Sequence, residues 1–94
     1  MKIKTGHRRY WEVLEAYELG NLGESRPNER QIVLAKDDKE RSYTLIHELI
    51  HCASFDEEIE LTENQVRLLE LWIKKFIKYG GIDKLKLLLK EHSF

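Results

Sequence analysis

Near Lys39 the spacing of apolar residues changes from strand-like to helical, and this change dictates a fold that builds its sheet first and its helices afterwards. Upstream, Ile3, then Trp11, Val13, Tyr17 and Leu19, then Ile32, Val33 and Leu34 supply aromatic and β-branched positions between Gly and Pro punctuation. Tyr10, Val13, Leu14 and Tyr17 also fit a helical period, so this stretch is ambiguous, with strand the preferred reading. Gly20 and Gly23, followed by Glu24 to Asn28, read as a loop containing a short edge strand that Pro27 ends.

Downstream, Tyr43, Ile46, Leu49, Ile50 and Ala53 recur at three- and four-residue steps and predict one apolar stripe on a core helix. Phe55 to Leu61 form an acidic connector. Thr62 has the chemistry of an N-cap for a second helix that buries Val66, Leu69, Ile73 and Phe76 or Ile77 and ends at Tyr79, Gly80 and Gly81. A third amphipathic segment places Ile82, Leu85, Leu88 and Leu89 on one side and is too short to be stable without docking. The expected class is α+β. A small antiparallel sheet of three to four strands packs on an active-site helix, a third-ligand helix and a C-terminal helix, in a single domain over residues 1–94.

At 94 residues the chain holds one modest core, so a metal bridging two segments would add useful stability. Sixteen Lys plus Arg against seventeen Asp plus Glu, with no long block of one sign, argue against a nucleic-acid partner. Cys52, the one cysteine, cannot form an internal disulfide, and Met1 to Glu12 lack the apolar stretch of a secretory signal, so a cytoplasmic protein is expected. Lys74, Lys75 and Lys78 interrupt the most hydrophobic run, so no membrane partner is expected. A charged fraction of 35% with few Asn, Gln, Met and Cys is the balance of heat-adapted proteins.

Within the core helix, Thr44-Leu45-Ile46-His47-Glu48-Leu49-Ile50-His51 contains the pattern H-E-x-x-H. On a helix the two histidines lie about 40° apart and one turn along the axis, so both imidazoles converge on one ion. Their direction is roughly 120° from the apolar stripe, so one side is free to bury while another carries ligands. Glu48 adjoins them without pointing at the ion, the placement of a general base acting on a metal-activated water. Neutral imidazoles suit zinc, and a catalytic site needs three protein ligands with one position left for water. Zinc lowers the pKa of that water to about 7 and polarises a carbonyl, which makes peptide-bond hydrolysis the natural reaction.

The third ligand is expected from the second helix. Glu63, with eleven residues between it and His51, is the choice; Glu70, with eighteen, is the reserve, with a role hydrogen-bonding a ligating histidine as its alternative. Glu57, Glu58 and Glu60 read as solvated charges, Cys52 as a small buried hydrophobe, and His7 as a turn residue.

The Thr-Leu-Ile-His-Glu-Leu-Ile-His core, preceded by a Gly-interrupted sheet and followed by Leu-Thr-Glu-x-x-Val-x-x-Leu, resembles the minigluzincins, small soluble zincin metallopeptidases. The resemblance covers residues 1 to about 78. It implies zinc on the positions of His47 and His51, a base at Glu48 and a third ligand from the following helix. Members of that family can be latent, with the C-terminal segment covering the cleft within the chain or by exchange between two chains. Here residues 81–94, after the Gly80-Gly81 hinge, read either as such a latch, with Glu91 or His92 filling the open metal position in a monomer or a helix-exchanged homodimer, or as a third packing helix with His92 at the surface. The expected function is therefore a zinc peptidase acting on a peptide or protein substrate. The alternative is a non-catalytic, zinc-stabilised binding module.

Overall fold

The computed structural model describes residues 1–17 and 20–92, the last of these as backbone only. Leu19, read above as a strand position, and Ser93, Phe94 and the His92 side chain of the expected latch lie outside the described residues.

Four strands come first: β1 (Lys2–Gly6), β2 (Arg9–Ala16), β3 (Gly23–Arg26) and β4 (Gln31–Ala35), with a 3-10 turn at Pro27–Glu29. Three helices follow: α1 (Arg41–Asp56), α2 (Glu63–Lys78) and α3 (Gly81–His92). The ambiguous stretch is strand β2, and Tyr17 lies just beyond it with its side chain exposed. Pro27 ends β3 as expected, by opening the 3-10 turn.

The sheet departs from the expected all-antiparallel form. Its order is β1-β2-β4-β3, and β2 pairs with β4 in parallel, Glu12 opposite Gln31 through Ala16 opposite Ala35. The other two pairings are antiparallel, with Ile3 opposite Trp11 and Ser25 opposite Ile32. Composition explains the arrangement. Ile32, Val33, Leu34 and Ala35 are all buried, so the strand that carries them takes an interior place, with β2 on one side and β3 on the other. The polar Gly-Glu-Ser-Arg strand β3 is left at the edge, where unpaired backbone groups meet solvent.

The core lies between one sheet face and α1. Trp11, Val13, Ile32 and Leu34 alternate along β2 and β4 and pack with Cys52, Leu45 and Leu49 of the helix. This is not the stripe the sequence suggested: Leu45, Leu49 and Cys52 face the sheet, Ile50 is buried, Tyr43 and Ile46 are only partly covered, and Ala53 is exposed. The helix packs on both the sheet and α2, so its contact surface is wider than one stripe.

The far end of α1 is tied to the sheet by charge. Asp56 accepts hydrogen bonds from Trp11 Nε1 at 3.0 Å and from Arg30 Nη1 and Nη2 at 2.7 and 3.2 Å. The Arg30 guanidinium also stands 4.6 Å from the Trp11 ring centre. At the near end, Asp38 accepts from the Glu40 backbone N–H at 2.9 Å and from Thr44 Oγ1 at 2.6 Å, anchoring the first turn. Both aspartates are held below the usual carboxylate range, chiefly by those side-chain hydrogen bonds from Arg30 and Thr44.

Thr62 caps α2 in a reciprocal box, accepting from the Gln65 N–H at 3.1 Å while Gln65 Oε1 accepts from the Thr62 N–H at 2.8 Å. Val66 is fully buried, whereas Leu69, expected inside, is 45% exposed because α2 turns only its Val66, Glu70, Ile73 and Ile77 side inward. Gly80 adopts a φ of 81°, and a Cβ on Gly81 would lie 2.5 Å from the Phe76 ring, so the glycine pair both turns the chain and lets α3 start against α2. The radius of gyration, 14.3 Å, exceeds the roughly 12 Å of a compact chain of this length.

Candidate metal centre

His47, Glu48 and His51 are brought together on α1, with one ligand atom from each within 4.8 Å of the others. This His-Glu-His group could hold a metal ion. It opens into a cleft of about 560 Å³ bounded on the sheet side by Leu22, Gly23, Glu24 and Ser25. Glu63, Glu70 and Lys74 of α2 close the opposite wall.

The carboxylates of α2 reach the histidines from two sides. Glu63 straddles them: Oε1 lies 2.9 Å from His47 Nε2, and Oε2 lies 3.3 Å from His51 Nε2. Glu70 Oε1 lies 2.9 Å from the other nitrogen of His47, Nδ1. The capping box fixes where α2 starts and so places Glu63 in its first turn. Glu70, two turns further on, faces the same helix.

Glu48 differs from a surface carboxylate in two ways. It is only 6% exposed, and its Oε2 is buried with no hydrogen-bond partner in the structure. Its position follows from the helix: Glu48 lies between the sheet-facing Leu45, Leu49 and Cys52 and the cleft-facing His47 and His51. Burial raises its pKa, against the lowering effect of the two nearby histidines. A buried polar oxygen left without a partner is costly, and in native proteins such groups await a water, ion or substrate.

The donor set fits a cation. A carboxylate only accepts hydrogen bonds, so the His47–Glu70 contact needs its hydrogen on Nδ1, and a neutral ring then turns a bare Nε2 lone pair toward Glu63. Two acceptors facing each other at 2.9 Å need a proton or a cation between them. Tetrahedral coordination with bonds of about 2.0–2.1 Å sets ligand atoms about 3.3 Å apart. The His–Glu63 separations of 2.9 and 3.3 Å are on that scale.

Cys52 packs into the core against the sheet and does not line the cleft. Its thiol is buried and pushed up to about 12, first by desolvation and then by Glu48 and Asp56. His7 stands in the β1–β2 turn and is not among the residues that line the cleft. The described residues of α3 do not line the cleft, and Glu91 is exposed.

Sequence reasoning missed Tyr43 and Lys74, which also line the cleft. Lys74 Nζ is 3.1 Å from Glu70 Oε2 and 4.9 Å from the Tyr43 ring centre. Both were within reach of helical spacing, since Tyr43 precedes His47 by one turn and Lys74 follows Glu70 by one turn.

Comparisons with known protein families, with characterised proteins and with solved structures give no match for this chain. The likeness to small zincins therefore rests on the motifs, and the structure supplies the His-Glu-His group itself.

Proposed function

We propose that this protein is a zinc-dependent peptidase in which His47, His51 and Glu63 hold the ion, Glu48 is the general base and Glu70 orients His47. The observation that carries this reading is the buried, unpartnered Glu48 oxygen beside two converging imidazoles in an open cleft. When bound, the ion supplies Lewis-acid polarisation of the scissile carbonyl and acidifies an attacking water.

The protein's own residues do the rest. Glu48 takes the proton of the attacking water and passes it to the leaving amine, and its raised pKa suits both halves of that transfer. Glu70 accepts from His47 Nδ1, which fixes the ring and leaves Nε2 to bind. Edge strand β3 forms one wall of the cleft, so an extended peptide pairing with it passes over His47 and Glu48.

The test is Glu48→Gln, measured for both metal content and hydrolysis of an unfolded protein substrate. A peptidase retains stoichiometric zinc and loses hydrolysis. A zinc-stabilised binding module retains zinc but shows no hydrolysis in the parent protein, and that result would replace this reading with the alternative.

A further inference from the structure

We infer that the outer face of α2 and α3 is an interfacial site for anionic lipid, on which the protein lies without crossing the bilayer. The sequence expectation of no membrane partner rested on the absence of a spanning run, and no described helix is long and apolar enough to cross. Lying on a surface has a different requirement. It needs amphipathic helices with aliphatic and aromatic residues on one side and lysines beside them.

Both helices meet that requirement. In α3, Ile82, Leu85, Leu88 and Leu89 recur at helical spacing over an arc of about 120°, and among the described residues they remain uncovered at 37–52% exposure. In α2 the ring of Trp72 stacks on Phe76 with centroids 5.6 Å apart and is itself 65% exposed. Trp72, Phe76 and Tyr79 line a shallow notch at the α2–α3 junction together with Lys75 and Lys84. Exposed apolar side chains grouped in this way on one side of a helix mark an interaction surface.

Charge identifies the cover. From Leu71 to Lys90 the chain carries six lysines and a single acidic residue, Asp83, although the whole protein has a net charge of -1. Lys74 turns into the cleft toward Glu70. Lys75, Lys78, Lys84, Lys86 and Lys90 make no ion pair with a carboxylate among the described residues. A second copy meeting this face would set lysines against lysines. Nucleic acid would satisfy the lysines but leave the leucines without an apolar partner. An anionic bilayer surface matches both, taking the leucines and Trp72 below the headgroups and the lysines among them.

The test uses the full chain in flotation with vesicles of phosphatidylcholine alone and of phosphatidylcholine with about one-third phosphatidylglycerol. Binding is expected to the anionic vesicles only, with a blue shift of Trp72 emission that is absent in Trp72→Phe. Leu85→Ser with Leu88→Ser should abolish it. Lys84→Gln with Lys86→Gln should weaken it by about tenfold or more, and high salt should do the same. Glu48→Gln should bind vesicles as the parent does, so this outcome is separable from that of the proposed chemistry. Folded protein that stays in the aqueous layer, or that floats equally with neutral vesicles, overturns the proposal. So does a dimer on sizing that the leucine substitutions dissolve, which assigns the face to a second copy, or salt-sensitive binding to duplex DNA without vesicle binding.

Discussion

Nδ1 of His47 lies 2.9 Å from Oε1 of Glu70, on the opposite side of the ring from Glu63. This contact holds the angle of the imidazole and, with the hydrogen on Nδ1, leaves Nε2 bare, so under the proposed zinc site Glu70 would act on the ion through His47. Glu70→Ala is expected to lower zinc affinity about 10- to 100-fold in competition with a chromophoric chelator while leaving the helical signal unchanged. Glu63→Ala should cost more, because it removes the carboxylate that faces Nε2 of both histidines. Equal affinities for Glu63→Ala and the parent would remove Glu63 from the ligand set.

Gly23 and Thr44 set the separation of β3 from α1. A Cβ at position 23 would lie 2.7 Å from Thr44 Cγ2 and 3.4 Å from Leu34 Cδ2. Thr44 cannot simply rotate away, since its hydroxyl donates to Asp38. Gly23→Ala is expected to destabilise the fold by about 1–3 kcal/mol in urea. Adding Thr44→Ser, which removes Cγ2 and keeps the hydroxyl, should recover most of that loss. Purely additive effects of the two substitutions would show that the contact is not the cause.

Asp56 joins the last turn of α1 to Trp11 and Arg30, and its replacement leaves a buried indole N–H and a guanidinium without their acceptor. Asp56→Ala should cost about 2 kcal/mol. The carboxyl is depressed in the folded protein, chiefly by the Arg30 hydrogen bond. The contribution is therefore complete above the unfolded carboxyl's pKa, near pH 4. It is lost as pH falls through the lower folded value. Urea midpoints measured from pH 7 downward should fall less steeply in Asp56→Asn than in the parent, and parallel curves would assign the acid sensitivity to other carboxylates.

These particulars divide what a linear reading reaches from what it does not. The period change near Lys39, the Thr62 cap and the Pro27 stop are local signals, and each appears where chain chemistry places it. The parallel β2–β4 pair is not local, because it depends on β4 inserting between strands that precede it. The side of α1 that meets the sheet was misread for a related reason: a helix covered by two neighbours buries two faces, and spacing alone does not rank them. His47, Glu48 and His51 were legible because their convergence needs one helix only. Which nitrogen of His47 meets which α2 carboxylate depends on how two helices pack, and this left Glu63 and Glu70 as open alternatives.

Metal removal should expose how much of the fold depends on the α1–α2 clasp. The described core is small: Trp11, Ile32 and Val66 are its largest fully buried side chains, and Val66 is the one buried residue of α2. An ion held jointly by His47, His51 and Glu63 would bind the folded chain and not the unfolded one, stabilising it by about 2.7 kcal/mol when free zinc is a hundred times the dissociation constant. For a domain of this size, each kcal/mol moves the melting temperature by roughly 4–8 °C. Dialysis against a chelator should accordingly lower Tm by about 10–20 °C, and zinc readdition should restore it. His51→Ala should melt near the chelated parent and not respond to zinc. A parent whose Tm is indifferent to zinc and chelator alike, under conditions where His51→Ala also melts unchanged, would show that the two helices are held by Val66 and its neighbours without an ion.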